Sequence, residues 1–290
     1  MPDLAITPLD DLTALAARGP DAAAFLQGQL SQDITLLADR GSLFAGLHNP
    51  QGRCLALLRL FHLGADQILI VLPAELADRV RAQLVRYVLR ARVKIDDVSS
   101  SWRIYGLTGP DAEAAAETRL HLPLDRTGLR QLILAPRGEP LPQGHMVTRA
   151  EWRIEDIEGG MPEVLGNTSG EFVAQMLNLD AIGAISFQKG CYTGQEIIAR
   201  AHYRGQVKRR MQLFHTESTA PLLPGERICL HDGRRAQVVL AEAIEDGGQE
   251  FLAVTTLPSA STEAGVADQV EAVMPRIQAL QMPLPYTLPA

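Results

Sequence analysis

Apolar and polar positions along this chain follow two periods. From Gly46 to Leu72, GLHNPQGRCLALLRLFHLGADQILIVL reads as short apolar runs separated by Asn49-Pro50-Gln51-Gly52 and Gly64-Ala65-Asp66, which predicts strands joined by turns. The period then lengthens. AELADRVRAQLVRYVLRARV places Leu76, Val80, Leu84 and Val88 four apart, with Val85 and Leu89 adjoining and Arg79, Arg86 and Arg90 off the stripe, which predicts an amphipathic helix with basic flanks. Those flanks read either as a solvated outer face or as a surface for RNA or an anionic ligand. From Lys208 onward short strands return. RICLHDGRRAQVVL predicts a hairpin with Asp232-Gly233 as a type I′ turn, and Asp246-Gly247-Gly248 precedes a further strand in EFLAVTTL. A separate C-terminal β domain, a small barrel, is the expectation.

Two phrases echo each other. LAARGPDAAAFL and YGLTGPDAEAAA share Gly-Pro-Asp-Ala, at 19–22 and 109–112, and each lies where a short strand turns into a helix, with the aspartate as a cap or first-turn charge. The echo predicts an internal duplication of two α+β units.

Composition narrows the class. At 290 residues and 46% hydrophobic the chain can bury a full core and divide into two or three domains. Three cysteines, Cys54, Cys191 and Cys229, form no CxxC pair, so neither a disulfide framework nor a local zinc site is indicated, and no metal is expected. The acidic N-terminus lacks the basic and apolar regions of a signal peptide, and ILIVLPAEL is too short to span a bilayer, so the expected place is the cytoplasm, without membrane contact. A net charge of −7 argues against wholesale nucleic-acid wrapping, and direct RNA contact is not expected.

The candidate chemistry sits in KGCYTGQE, residues 189–196. Thr193 and Glu196 fit a T-x-x-E capping box, with a helix running through EIIARAHYR and stopping near Gly205. Cys191 then lies just ahead of unpaired amides and the positive end of a helix, two residues from Lys189, and both features favour thiolate. The alternative is a turn whose glycines shape the path while cysteine fills a niche; a metal reading lacks partners. Cys54 and Cys229, in apolar strands, read as packing residues. After the motif, Arg200 and Arg204 share a helix face and suit either a carboxylate or phosphate ligand or plain surface pairing. Upstream, Glu158 before Gly159-Gly160 is the acid best placed to accept paired N–H donors from a nitrogen heterocycle such as a pterin.

These residues resemble a family. KGCYTGQE with its flanks, FLQGQLSQDI, NPQGR at 49–53, GPDA at 109–112 and DIEGGMP at 156–162 are similar in content and order to the YgfZ folate-binding proteins, relatives of the glycine-cleavage T protein. The resemblance covers most of the chain up to about residue 210. It implies an α+β protein built as a three-domain ring, two related α+β units and a β barrel around a folate channel. Residues 1–50 with 145–206 would be the first, folate-binding unit, 51–144 the second and 207–290 the barrel. It implies tetrahydrofolate or a derivative as ligand, bound by Glu158, Gln29, Asp33 and Arg200. It also implies a role with iron–sulfur enzymes, including those that thiolate tRNA, or with their assembly factors. In this reading Cys191 and Lys189 are the reactive residues, set in a frame of Gly190, Tyr192, Gly194, Gln195 and Glu196. The alternative is a folate-dependent aminomethyltransferase. Here Leu72-Pro73 replaces the family's Asn-Ala turn, Asp78 lies within one position of its acid, and Asp156 replaces its arginine, so no complete catalytic set is matched.

Overall fold

The computed structural model describes residues 3–205, 207–257 and 274–289. The first part of the chain runs β1 (Ala5–Pro8), β2 (Leu12–Arg18), α1 (Ala22–Gln29), α2 (Leu37–Arg40), β3 (Ser42–His48), β4 (Cys54–Gly64), β5 (Gln67–Pro73), α3 (Ala77–Arg86) and β6 (Lys94–Asp97). Next come β7 (Trp102–Thr108), α4 (Ala112–Ala116), β8 (Leu120–Pro123), β9 (Arg130–Pro136), β10 (His145–Met146), α5 (Arg149–Glu158) and α6 (Gln195–Tyr203). The last strands are β11 (Arg209–Thr216), β12 (Arg227–Leu230), β13 (Arg235–Ala243), β14 (Gln249–Thr256), β15 (Arg276–Ile277) and β16 (Leu280–Met282). They make a mixed α+β fold of three sheets, ordered β3-β4-β5-β2-β6, β10-β1-β7-β9-β8 and β15-β12-β13-β14-β11-β16.

The Gly-Pro-Asp echo is a structural repeat. Gly19 and Gly109 adopt φ of 129° and 128°, and a Cβ on either would fall 2.1 Å from a carbonyl oxygen, of Arg92 and of Asp3 respectively. Asp21 accepts the backbone N–H of Arg92 at 2.7 Å, and Asp111 accepts that of Asp3 at 3.0 Å. Each aspartate thus tethers the chain just ahead of a short strand, β6 or β1. Those strands are exchanged: β1 precedes β2 but pairs antiparallel with β7, while β6 precedes β7 but pairs antiparallel with β2. The connectors repeat the relation, since Leu9 donates to the Ile104 carbonyl and Val98 to the Ala14 carbonyl, both at 3.0 Å.

Sheet membership therefore does not follow the boundaries expected at 50/51 and 144/145. Strands on both sides of residue 50 share the first sheet, because β3 and β4 form a hairpin around the Asn49–Arg53 turn, and β1 belongs to the second sheet through the exchange. The segment after α5 returns to the first sheet: Cys54 donates to Phe172 at 2.8 Å, and Ser186 to Ser31 at 2.9 Å.

The C-terminal sheet is strongly curled. Its edge strands β15 and β16 are separated by two residues in the chain yet pair with β12 and β11 on opposite sides. Six flat strands would put those edges about 24 Å apart, whereas three residues of chain reach at most about 11 Å. The interior packs Phe214 against Phe251, directly paired across β11 and β14 with ring centroids 5.2 Å apart.

Two local expectations change. The helix expected through Val93 stops at Arg86: Leu76, Val80 and Leu84 are buried as its stripe requires, but Leu89 is 85% exposed, because the chain must leave the helix to reach β6. The β12–β13 hairpin forms, but not with a type I′ turn. Gly233 has φ of 85° while Asp232 does not enter the left-handed region, its carboxylate accepting the Arg234 N–H instead at 3.0 Å.

Since both repeat glycines sit where a side chain meets a carbonyl, Gly19→Ala and Gly109→Ala should each lower unfolding free energy by about 2–3 kcal/mol. Urea denaturation at constant m is the check, and a loss at one site only would argue against equivalence of the two junctions.

Candidate functional site

The Lys189–Glu196 motif lies against the first sheet. Helix α1 ends at Gln29 with no basic residue in its last turn, leaving carbonyls at its C-terminus without intrahelical partners. Lys189, about 160 positions away in the chain, supplies the missing donors. Its Nζ donates to the carbonyls of Gln27, Leu30 and Gln32 at 2.6, 2.7 and 2.9 Å, which uses all three ammonium hydrogens. Burial pulls this ammonium down to about 8, with the charge of Asp33 acting against the shift. Nζ also stands 5.2 Å from the ring centroid of Tyr192.

Tyr192 is buried, and its hydroxyl is pushed up to about 12 by that burial. Its ring lies 6.4 Å from the imidazole of His48, which is wholly buried, held neutral by desolvation and lowered to about 3. His48 leaves Gly46 no room for a side chain, since a Cβ there would fall 2.3 Å from Nε2. Between the anchored Lys189 and Tyr192, Gly190 and Cys191 are exposed, and nothing lies within 4 Å of the position a Gly190 Cβ would take. The loop is pinned on both sides and presents the thiol outward.

The expected capping box does not form. The cap of α6 is Gly194, at φ of 83°, with no side-chain cap bond, and Glu196 is exposed. The reason is a close approach: a Cβ on Gly194 would lie 2.5 Å from the Asn49 carbonyl and 3.0 Å from the Gly52 Cα. The partner surface is the NPQGR turn, where Asn49 Oδ1 accepts the N–H groups of Gln51 and Arg53, both at 3.0 Å. The helix start is thus set by backbone packing against this turn. Gln195 is half-buried at the first helical position, and the helix ends at Tyr203 with Arg204 as cap, near the expected stop.

The other residues named from sequence fall in two places. Asp33 is beside Lys189: it accepts from Gln27 Nε2 at 2.9 Å, from Thr35 Oγ1 at 2.7 Å and from the Thr35 N–H at 3.1 Å, and the Thr35 hydroxyl leads in holding its carboxyl below the usual range. Gln29 is half-buried at the end of α1. Arg200 is exposed on α6. Glu158 is elsewhere, exposed at the end of α5 where that helix packs on the C-terminal sheet. It faces Glu250 of β14, whose carboxyl is raised by burial first and by the like charge of Glu158 second. Glu250 Oε2 is buried without a hydrogen-bond partner among the described residues, although His215 stands directly opposite Glu250 on β11. A donor-bearing heterocycle edge fits that chemistry. Asp78 is exposed in the first turn of α3.

Cys54 is buried and its thiol pushed up to about 12, as suits a packing residue, and Cys229 is half-buried. Among the described residues no three His, Cys, Asp or Glu side chains gather to hold a metal ion. Sequence reading missed His48 beneath the motif and two buried ion pairs that fix the segment leading to it. Arg59 holds Glu163 at 2.7 Å, and Arg210 grips both oxygens of Asp180 at 2.9 Å.

Residues 4–131 match the GCVT N-terminal domain. Over 99% of this chain and 93% of its own length, the tRNA-modifying protein YgfZ of Photobacterium profundum is 31% identical, and the protein of that name from Edwardsiella ictaluri is 31% identical over 98% and 93%. The chain belongs to the YgfZ family. The glycine cleavage system aminomethyltransferase T of Bartonella henselae shares the fold of this YgfZ-family chain, with a TM-score of 0.67 at 16% identity over 88% of this chain and 78% of that one.

The carbonyl cradle has a measurable consequence. Lys189→Met leaves three inward-facing carbonyls without a donor and should lower stability by about 2–4 kcal/mol, whereas Cys191→Ala, at an exposed position, should leave the urea midpoint in place. An unmoved midpoint for Lys189→Met would show that the ammonium does not anchor the loop.

Proposed function

We infer that this chain binds tetrahydrofolate or a derivative and acts in tRNA modification by supporting the assembly or repair of iron–sulfur enzymes that thiolate tRNA, with Cys191 as its functional thiol. The observation that carries the reading is the mounting of Cys191: an exposed cysteine on a loop whose neighbours on either side are fixed by a three-carbonyl cradle and a buried ring. A cysteine that merely filled a niche would be enclosed, as Cys54 is. Membership of a family whose relatives carry the name tRNA-modifying protein supports the process, and the T-protein-like fold supports the ligand. The three-domain ring around a folate channel belongs to the same reading, as does the cytoplasm as its place of action. No helix among the described residues is long and apolar enough to cross a membrane.

In this reading Glu158 and Glu250 would meet the N–H edge of the pterin, with Gln29, Asp33 and Arg200 as further candidates for the folate. The folate supplies a one-carbon carrier or redox-active ring when bound; the chain's own residues hold and orient it. Lys189 is a positioning residue, because its donors are committed to the end of α1 and it acts on Cys191 through the path of the loop.

Aminomethyl transfer is the second reading, favoured by the shared fold alone. It needs a positioned acid, and Asp78 stands exposed at the start of α3. Incubation with an aminomethyl donor and tetrahydrofolate is expected to give no methylene-tetrahydrofolate above background.

Two variants separate the roles of ligand and thiol. Glu158→Gln should weaken 5-formyltetrahydrofolate binding at least tenfold in calorimetry, from loss of a charged acceptor worth about 1.5–3 kcal/mol. Cys191→Ala should bind it normally yet fail to restore thiolated tRNA in a bacterial strain lacking its own relative. Full restoration by Cys191→Ala would remove the thiol from the mechanism, and unchanged binding by Glu158→Gln would remove the pterin anchor.

A further inference from the structure

Four arginines that are far apart in sequence converge at one end of the C-terminal sheet. Arg209, Arg227 and Arg235 are the first residues of β11, β12 and β13, and the antiparallel register brings these strand ends together: Arg227 lies opposite Gln237, Gln237 opposite Val254, and Arg209 opposite Thr256. Arg53, from the NPQGR turn, joins them, its guanidinium donating to the backbone carbonyl of Glu171. Two cavities of about 410 and 380 Å³ abut here and share Arg209, Arg227 and Gln237 in their walls; Arg235 lines the first and Arg53 the second.

Among the described residues, the arginines of this groove outnumber its acids four to one. Among the described ion pairs none involves any of the four arginines. The one acid among the described residues of its wall, Glu171, meets Gln237 Nε2 at 3.5 Å. Burial and then the like charge of Arg227 pull the Arg209 guanidinium below its ordinary value. Like charges held together in a chain of net charge −7 call for an anion, and four guanidiniums over two adjoining hollows exceed what one phosphate neutralises. A second feature narrows the anion. At the end of α6, just ahead of β11, the ring of His202 stacks at 3.7 Å on that of Phe187, which precedes the Lys189 loop, and Tyr203 stands edge-on to both with 66% of its surface exposed. Tyr203 is six residues from Arg209, so the two are at most about 22 Å apart along the chain. Exposed rings beside a basic groove are how single strands of nucleic acid are held, bases on rings and phosphates on arginines.

We propose that the arginine groove, together with the exposed Tyr203 ring a short stretch of chain away, binds the backbone of a single-stranded polynucleotide. This reverses the expectation from net charge, because binding depends on local charge. It stands independently of the folate reading, as no groove residue is among those assigned to folate or to the thiol mechanism.

The test is fluorescence anisotropy of the full chain with labelled 15-nucleotide RNA and DNA of one sequence, across 50–300 mM salt. The substituted positions of all three variants are exposed, and thermal melting by circular dichroism verifies that each is folded. The double variant Arg227→Gln/Arg235→Gln should bind at least tenfold more weakly at 50 mM salt and flatten the dependence of log K on log salt by about 1.4, two phosphate contacts' worth for a single strand. Tyr203→Ala should weaken binding while leaving the salt slope unchanged, and Arg86→Gln/Arg90→Gln, near the end of α3, should change neither. A preference for RNA over DNA would assign the strand to RNA, and equal binding to either sugar; both support the groove. Unchanged affinity and slope in the arginine double variant would overturn it. So would failure to bind either oligonucleotide while a labelled triglutamate peptide binds, since the groove would then serve carboxylates.

Discussion

The exchange of two short strands is the constraint from which the rest of the architecture follows. β1 and β6 each pair with the long strand of the opposite half, so neither sheet is complete without chain from the other. Pairing across the exchange satisfies the backbone groups of strands only four residues long, which could not hold a register alone. The aspartates of the two Gly-Pro-Asp turns fix where each exchanged strand enters, and the glycines allow the approach. The two halves are therefore covalently and topologically tied, and the segment from Met161 to Tyr203 can be draped over the first sheet without having to hold the halves together.

That draped segment has little regular structure, so its shape depends on a few polar anchors. Arg59–Glu163 and Arg210–Asp180 are buried ion pairs, each costly to desolvate and tolerable only because both partners are present in good geometry. Lys189 is a third anchor of a different kind: a cation satisfied by carbonyls at a helix C-terminus, where the helix dipole also favours it. These interactions are poor sources of net stability compared with apolar packing and good sources of position. Their concentration before and within the Cys191 loop is what an exposed thiol at a defined place requires.

Much of this was legible in the sequence, and the failures share a cause. Strands, turns and the repeat could be read because apolar alternation, Asp-Gly and Asn-Pro-x-Gly signals are local. The T-x-x-E pattern shows the limit. At Thr148–Glu151 it forms a full capping box, with Glu151 accepting the Thr148 N–H at 2.6 Å, whereas at Thr193–Glu196 it does not form, because the Asn49–Arg53 turn presses on Gly194. Which of the two identical patterns caps a helix is decided by a contact more than 140 residues distant in the chain. The same holds for Lys189, read as a neighbour of the thiol when its partners lie near residue 30, and for the arginines at 53, 209, 227 and 235, which become one surface only through strand register.

The Asn49–Arg53 turn connects these separate features. Its Gly52 and the Asn49 carbonyl receive Gly194 and so fix the start of α6; its last residue, Arg53, faces the arginine groove. A displacement of the turn would shift the helix that follows the thiol loop and the groove wall together, since both rest on five residues braced by the Asn49 side chain. Nothing in that coupling requires a conformational change: one rigid turn shared by two surfaces sets the distance between them. A ligand spanning the groove and the face of α6 would thus meet Cys191 at a separation determined by the packing of glycine on glycine, a contact that any side chain at position 52 or 194 would push apart.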